Sequence, residues 1–420
     1  MNKDLGVLPN VLTQHAEEVA FLWGLRDAAA HLPHYSLADL AKLDGRVEAN
    51  IDGLRIAGEE GWRLCAEALE WKEPGEVFAA AVLAFESNER SRIQQALKAG
   101  TTDPGLAVGL ISALGWITFQ QAEPQIKQLL ASPSPALRRI GIAASAIHRQ
   151  NPGAPLVNAI SSTDPLLKAR ALRAAGELGL KSFLPEVKKY FADQDDLCRF
   201  SAAWSAALLA PDPNALTILK STAESSLPYR ERALQLAIRR LDVSAAGAWQ
   251  KKLAQNAKLI RIAITAAGAA GDPVHVPWLI EQMKEQKVTR IAGEGFTMIT
   301  GMDLALRDLE RKPPEDFEAG PTENPEDEDV EMDPDEHLPW PDAALIAKWW
   351  GVHQGEFQKG KRYLLGKPIA PDWMQEVLRI GKQRQRAAAA LELALLQPGQ
   401  PLFNVKAPGF RQQQMLGLRR

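Results

Sequence analysis

The sequence contains few of the residues that build reactive or metal-binding sites. Only two of its 420 residues are cysteine, Cys65 and Cys198, and they lie far apart in the chain. This excludes a disulfide framework and a cysteine pair at zinc-binding spacing, so we expect a protein of the reducing cytoplasm. The seven histidines are scattered, and none is directly followed by glutamate. The His-Glu dyads that di-iron hydroxylases require are therefore absent from the sequence. We therefore expect no metal and no cofactor.

The motifs that position a nucleophile or a phosphate are also missing. There is no Gly-x-Ser-x-Gly segment, and neither cysteine has a histidine nearby in sequence. There is no Walker-type loop either, and Gly293, Gly295 and Gly301 punctuate a helical stretch instead of following a strand. We interpret these glycines as close packing at the end of a helical array. The sequence thus predicts no catalytic residues and no enzyme.

Long apolar runs are absent as well. The longest uncharged stretch, residues 104–122, approaches bilayer-spanning length but contains glycine, serine, threonine and two glutamines. The first residues, Met1 to Gly6, lack the basic start and the apolar core of a signal peptide, so we expect none. We accordingly expect no membrane partner.

Turn-like dipeptides recur along the chain at nearly constant spacing. They are Asp103-Pro104, Ser134-Pro135, Asp164-Pro165 and Asp195-Asp196. A helix rich in small residues follows each of them, and a second amphipathic helix follows that one. No single pair of this kind can bury its own apolar stripe, so neighbouring pairs must stack. The pattern predicts an all-α fold, a HEAT-type α-solenoid, and the segment "ARALRAAGELG" (169–179) resembles HEAT repeats of the short bacterial type.

The spacing suggests four segments. They are a helical N-terminal cap (1–72), a HEAT-repeat solenoid (73–300), an acidic linker or insertion (301–340) and a C-terminal helical segment with an irregular tail (341–420).

The acidic segment is the first candidate site. Residues 315–336 hold twelve carboxylates and no lysine or arginine. Its members Asp327, Asp329, Glu331 and Asp333 have the spacing of the first four ligand positions of an EF-hand loop. That loop also needs glycine at its sixth position and glutamate at its twelfth, where this chain has Met332 and Leu338. We therefore favour a solvated linker, and keep contact with a basic partner or with the chain's own basic end as alternatives.

The basic end is the second candidate. Residues 358–420 hold twelve lysines and arginines against three carboxylates. The candidate partner-binding residues are Lys361, Arg362, Arg384 and Arg386, with Trp349 and Trp350 nearby. We hypothesise that the acidic run shields this end until a partner displaces it.

Nucleic-acid binding is the alternative function. Basic residues recur in the small-residue helices: Lys168, Arg170, Arg173, Arg199, Arg230, Arg232, Arg239, Arg240 and Arg261. DNA glycosylases of the alkylpurine type use such a solenoid, but a phosphate-binding groove needs uncompensated positive charge, and this chain has a pI near 6.2. We instead expect a ladder in which Arg170 pairs with Asp164 or Asp195 of a neighbouring turn.

Five segments of the C-terminal third carry the most distinctive sequence. They read "GEGFTMITGMDL", "LPWPDAALIAKWW", "RYLLGKPI", "RQRAAAALELALL" and "PLFNVKAPGFRQQQMLG". Together they resemble a family of uncharacterised proteobacterial HEAT-repeat proteins whose genes often accompany type VI secretion clusters. That resemblance implies a cytoplasmic, non-enzymatic adaptor or chaperone-like factor that binds a secretion component or an effector. It implies no site residues.

Overall fold

The computed structural model describes residues 9–315, 317 and 333–418, and these are almost entirely helical. The first helices are α1 (Pro9–Ala29), α2 (Leu37–Ala57), α3 (Glu59–Ala68), α4 (Pro74–Ser87), α5 (Arg90–Gly100), α6 (Ala107–Trp116), α7 (Phe119–Leu130), α8 (Pro135–Ile147), α9 (Ala154–Ile160), α10 (Pro165–Glu177), α11 (Leu184–Lys188) and α12 (Asp196–Leu209). They are followed by α13 (Pro213–Ala223), α14 (Arg230–Arg240), α15 (Val243–Ala254), α16 (Ile260–Ala270), α17 (Val276–Gln282), α18 (Thr289–Thr300), α19 (Ala343–His353), α20 (Pro371–Ile380), α21 (Gln383–Leu396) and α22 (Gly409–Met415).

Short elements complete the described chain. Six 3-10 helices lie at Leu69–Trp71, Lys181–Phe183, Ala257–Leu259, Pro273–His275, Gln286–Val288 and Gln354–Glu356. Two antiparallel strands, β1 (Tyr363–Leu364) and β2 (Lys367–Pro368), form a hairpin. In the part of the chain that the structure describes, none of the helices combines the length and the apolar character needed to cross a membrane.

The chain forms two compact units. Unit 1 comprises Met1–Ala210 with Gln397–Arg420, and unit 2 comprises Pro211–Leu396. The unit boundaries thus differ from the segment boundaries that the repeat spacing suggested near residues 72, 300 and 340. The last residues, predicted as an irregular tail, contain helix α22 and belong to unit 1.

Within each unit the helices stack as pairs, and the predicted fold class is confirmed. In unit 1 the first helices of the pairs, α4, α6, α8, α10 and α12, pack in succession, and in unit 2 helices α14, α16 and α18 do the same. The second helix of each pair packs on the first helix of the next, as α7 does on α8 and α15 on α16. This is the nearest-neighbour stacking expected of a helical repeat.

The recurring turns begin the helices because their side chains cap them. The side-chain oxygens of Ser134, Asp164 and Asp195 accept hydrogen bonds from the third backbone N–H that follows, at 3.5, 2.7 and 2.8 Å. Asp103 differs, since it accepts from the N–H of Gly105 at 2.7 Å. Helix α6 therefore begins only at Ala107, later than the spacing predicts.

Small residues let the helices of successive pairs approach closely. A Cβ added at Gly109 in α6 would lie 2.3 Å from the carbonyl oxygen of Pro74 at the start of α4. In unit 2 a Cβ at Gly268 would lie 2.9 Å from the Cα of Gly295. The glycines of the "GEGF" segment are thus packing residues inside α18, as predicted.

The β-hairpin closes the end of the helix stack in unit 2. The N–H of Tyr363 donates to the carbonyl of Gly271 after α16 at 2.8 Å, and the N–H of Leu365 donates to the carbonyl of Met298 in α18 at 2.8 Å. The indole of Trp373 donates to the carbonyl of Leu364 at 2.7 Å. The distinctive "RYLLGKPI" segment therefore caps otherwise unpaired carbonyls at helix ends.

The C-terminal segment packs on α2 in unit 1. The buried carboxylate of Asp44 accepts hydrogen bonds from the Arg26 guanidinium at 2.7 Å and from the N–H of Gly409. Arg26 also donates to the carbonyl of Ala407 at 2.8 Å. A Cβ at Gly409 would lie 2.6 Å from the Cα of Ala41, so the backbones of α22 and α2 touch. These contacts place α22 next to the surface described below.

Candidate functional site

The residues proposed at the basic end are largely occupied inside unit 2. Arg386 is fully buried, and its guanidinium donates to the carbonyl of Leu378 at 2.7 Å and to the side chain of Gln383. Burial lowers the pKa of Arg386 to about 10. The side chain of Arg386 is thus a core element and is not available to a partner.

Arg362 pairs with a buried carboxylate, and Arg384 pairs with a half-buried one. The Arg362 guanidinium pairs with Glu392 and donates to the carbonyl of Ala270 at 3.1 Å. Arg384 pairs with Glu294 at 2.9 Å. Lys361 lies exposed on the loop before β1.

The two tryptophans of α19 do not form an exposed stacking surface. Trp350 is buried against Phe357, with 5.4 Å between the ring centroids. Trp349 is half-buried, stacks on His353 at 4.4 Å and meets Phe296 edge-on at 5.6 Å. Of the six proposed residues, Lys361 is the one that is exposed. A partner-binding role for this set stays a prediction.

Three of the four proposed acidic residues, Asp327, Asp329 and Glu331, lie outside the described residues. Asp333 pairs with Arg290 of α18 at 2.6 Å, and Asp335 pairs with Arg261 of α16 through two bonds of 2.5 and 2.8 Å. At its described end the acidic segment therefore binds repeat helices and not the basic end of the chain.

The repeat arginines pair differently from the predicted ladder. Arg170 lies 3.0 Å from Glu177 of its own helix, whereas Asp164 and Asp195 cap α10 and α12. Lys168 pairs with Asp193 at 2.8 Å. The prediction that Arg170 pairs with Asp164 or Asp195 is wrong, because Glu177, further along α10, provides its carboxylate.

One concave surface of unit 1 encloses a cavity of about 980 Å³, which we call the aromatic groove. Its walls come from α2, α3, the end of α4, the start of α5, the α6–α7 connection, the end of α8 and α22. The lining residues are Glu48, Leu54, Arg55, Gly58, Trp62, Leu83, Glu86, Ser87, Arg92, Trp116, Ile117, Thr118, Phe119, Gln121, His148, Phe410, Arg411 and Gln414.

Aromatic rings dominate the apolar part of this groove. Trp62, Phe119 and Phe410 are half-buried, so each presents part of its ring to solvent. Trp116 is buried beneath Phe410 in an edge-to-face contact at 6.1 Å. Arg92 lies over the ring of Trp62 at 5.4 Å. Rings held in this way offer a rigid apolar surface at a small cost in side-chain entropy.

One end of the groove is a network of carboxylates around Arg55. The guanidinium binds both oxygens of Glu86, at 2.7 and 2.8 Å, and reaches Glu48 and Asp52 at 2.6 Å each. The Trp116 indole donates to Glu48 at 2.6 Å. Burial lowers the pKa of Arg55, but the hydrogen bonds to the three carboxylates outweigh burial and raise it overall. Three carboxylates surround one cation, so this end is acidic.

The other end is cationic. Arg411 donates to the carbonyls of Gly115, Trp116 and Ile117, at 2.9, 3.3 and 3.0 Å, and so caps the C-terminus of α6. His148 bonds to the carbonyl of Leu114 at 2.7 Å. Burial lowers the pKa of His148 and the nearby charge of Arg411 lowers it further, against the hydrogen bond to Leu114, which raises it. Burial also lowers the pKa of Arg411.

The two cysteines of unit 1, Cys65 and Cys198, are buried, and burial raises the pKa of each thiol to about 12. Among the described residues, no group of three or more histidine, cysteine or carboxylate side chains could hold a metal ion. An aromatic surface with an acidic end and a cationic end can select a ligand by shape and by charge.

Sequence reasoning missed this groove. Its walls come from helices far apart in the chain, and no local pattern joins Trp62 to Phe119 or to Phe410. One signal was present, since Phe410 and Arg411 lie in the distinctive segment "PLFNVKAPGFRQQQMLG".

Stacked helix pairs with capped turns place the chain in the class of all-α repeat proteins. A family model described as HEAT repeats matches residues 153–239, so this part of the chain is HEAT-repeat sequence. No curated protein matches the sequence.

Proposed function

We propose that this chain is a non-enzymatic protein-binding scaffold and that its partner docks in the aromatic groove. HEAT repeats generally serve as protein-interaction scaffolds, which supports the class of function. The observation that carries the proposal is the cavity of about 980 Å³ with three half-buried aromatic rings in its walls. Aromatic side chains in concave, partly desolvated sites are the usual anchors of protein interfaces.

The resemblance of the C-terminal third supplies the class of partner. It points to an accessory factor that meets a type VI secretion component or an effector in the cytoplasm. The distinctive tail segment contributes Phe410 and Arg411 to the groove, so the residues that carry the resemblance also form part of the proposed binding surface.

The proposal can be tested by purifying the tagged wild type and the variants Trp62→Ala and Trp71→Ala from the host and comparing the proteins that co-purify with each. Trp71 is 68% exposed and lies outside the groove, which makes it a matched control. We expect a specific protein to co-purify with the wild type and with Trp71→Ala. We expect its recovery to fall roughly tenfold or more with Trp62→Ala, as for an interface anchor.

Quantitative mass spectrometry of the purified complexes gives this recovery, and circular dichroism checks that both variants fold. The purified partner is then titrated against each variant. Equal binding by wild type and Trp62→Ala, or the absence of any specific partner, would refute the proposal.

A further inference from the structure

Four arginines of unit 1 lie on or beside the successive first helices α6, α8 and α10, and we call them the arginine strip. They are Arg411, Arg149, Arg170 and Arg173. Arg411 caps the C-terminus of α6, Arg149 follows the end of α8, and Arg170 and Arg173 lie in α10. His148 experiences the charge of Arg411, and Arg149 experiences the charges of Arg170 and Arg173. Arg149, Arg170 and Arg173 are therefore close enough to act on one another, and Arg411 acts on His148, the residue before Arg149.

Glu177 is the single carboxylate paired with the arginine strip within the described residues. Its two oxygens pair with Arg173 at 2.6 Å and with Arg170 at 3.0 Å. The guanidinium of Arg149 donates to the carbonyl of Ala146. Arg411 donates to carbonyls alone. Four positive charges thus face one negative charge.

This excess of positive charge is unfavourable in the chain by itself. Burial and repulsion from Arg170 and Arg173 together lower the pKa of Arg149 to about 10, against the attraction of Glu177. Burial also lowers the pKa of Arg170. Arg149 Nε and Arg170 Nη1 are buried without a hydrogen-bond partner. An anionic ligand beside the strip would offset the repulsion among these cations.

The arginine strip is continuous with the aromatic groove. Arg411 and His148 line the groove, and Arg149 directly follows His148 in the chain. The side chain of Arg173 is 40% exposed, so the strip remains accessible beyond the groove. A ligand that fills the groove at Arg411 can extend along the strip.

The acidic end of the groove decides what kind of anion fits. Glu48 of α2 and Glu86 of α4 line the groove, and Asp52 of α2 binds the same guanidinium, that of Arg55. A uniformly charged phosphate backbone that crossed the groove would be repelled there. A polypeptide can place apolar side chains over the rings and acidic side chains over the arginines.

We propose that the groove and strip bind a protein segment in which an apolar anchor is followed by several acidic residues. This inference rests on the proposed function and adds the chemistry of the partner. The apolar anchor enters between Trp62 and Phe410, and the carboxylates pair with Arg411 and Arg149.

Two blocked peptides and one oligonucleotide test the inference on the full chain. The first peptide has a tryptophan followed by four glutamates, and the second has glutamines in place of the glutamates. An eight-nucleotide oligothymidylate is the third probe. By calorimetry at low salt we expect the glutamate peptide to bind about tenfold more tightly than the glutamine peptide. That advantage should decrease with added salt.

Variants assign the effect to the strip. Arg149→Gln and Arg411→Gln should each remove most of the advantage, and Arg411→Lys should keep it because the charge remains. Arg63→Gln is the matched control, since Arg63 pairs with Glu60 and Glu67 away from both groove and strip. Thermal unfolding of each variant verifies that it is folded.

The inference fails if both peptides bind equally or not at all, or if the advantage survives both glutamine variants. Tighter binding of the oligothymidylate than of the glutamate peptide would also overturn it, since the strip would then prefer phosphates. If Trp62→Ala abolishes partner capture while Arg149→Gln has no effect, the scaffold function stands and the acidic-partner inference falls. If the arginine variants act on the peptides while Trp62→Ala leaves partner capture unchanged, the reverse holds.

Discussion

At the scale of single residues, glycine is required at position 109 because no side chain fits there. A Cβ would meet the carbonyl oxygen of Pro74 at 2.3 Å, and backbone atoms cannot move aside without separating α6 from α4. We expect Gly109→Ala to lower the free energy of unfolding by about 1–3 kcal/mol, the usual cost of overpacking.

Gly24 provides the matched control, because it is exposed within α1 and has no atom within 4 Å of an added Cβ. There the same substitution should raise the free energy of unfolding by about 0.5–1 kcal/mol through helix propensity. Urea unfolding measures both variants. Equal effects at the two positions would contradict close packing of α6 on α4.

Arg386 shows where residue-level prediction from sequence stops. In the sequence it belongs to a basic run that reads as an exposed surface, and nothing local marks it as buried. Arg386 can be buried because the carbonyl of Leu378 and the side chain of Gln383 accept hydrogen bonds from its guanidinium inside the α20–α21 pair. A charge pattern in the sequence shows how many cations a segment contains. It does not show which of them find hydrogen-bond acceptors inside the folded protein.

At the scale of elements, the attachment of α22 to α2 depends on one buried carboxylate. Asp44 binds the guanidinium of Arg26 and the N–H of Gly409, and both Asp44 and Arg26 are buried. We expect Asp44→Asn to lower the free energy of unfolding by about 3 kcal/mol or more, since it leaves a buried guanidinium without its counter-charge. Trypsin should then cleave after Arg411 sooner than in the wild type.

Asp52→Asn is the control on the same helix. Asp52 pairs with Arg55, but its side chain is 59% exposed, so its loss should cost less than about 1 kcal/mol. Limited proteolysis followed by mass spectrometry, together with urea unfolding, distinguishes the two variants. If cleavage after Arg411 is unchanged in Asp44→Asn, the carboxylate does not hold the segment.

The elements differ in how far the sequence could predict them. Ser134, Asp164 and Asp195 cap helices through bonds to residues three positions away, so their chemistry is local and the repeat was predictable. The contact of Asp44 with Gly409 joins positions that are distant in sequence, and no period in the chain encodes it. The groove is likewise formed by residues that are distant in sequence. For this reason the helix pairs could be predicted from the sequence and the groove could not.

At the scale of the whole molecule, histidines buried in both units couple stability to pH. Burial is the main cause that lowers the pKa of His148 in unit 1 and of His275 in unit 2 below the ordinary value of 6.5. The unfolded chain therefore binds protons at these positions at a higher pH than the folded chain does. Stability is fully present above about pH 6.5 and is lost as the pH falls through the lowered values.

Replacing both side chains tests this coupling. We expect a double variant that carries His148→Gln and His275→Gln to show a smaller fall in Tm between pH 7.5 and pH 5.5 than the wild type. This expectation concerns the fall in Tm and not the Tm at pH 7.5 itself. His337→Gln is the control, because His337 is exposed and should leave the pH dependence unchanged. Scanning calorimetry at several pH values gives these slopes. If the double variant and the wild type have identical slopes, proton uptake at these two positions does not contribute measurably to the pH dependence of Tm. Other groups would then govern the loss of stability in acid.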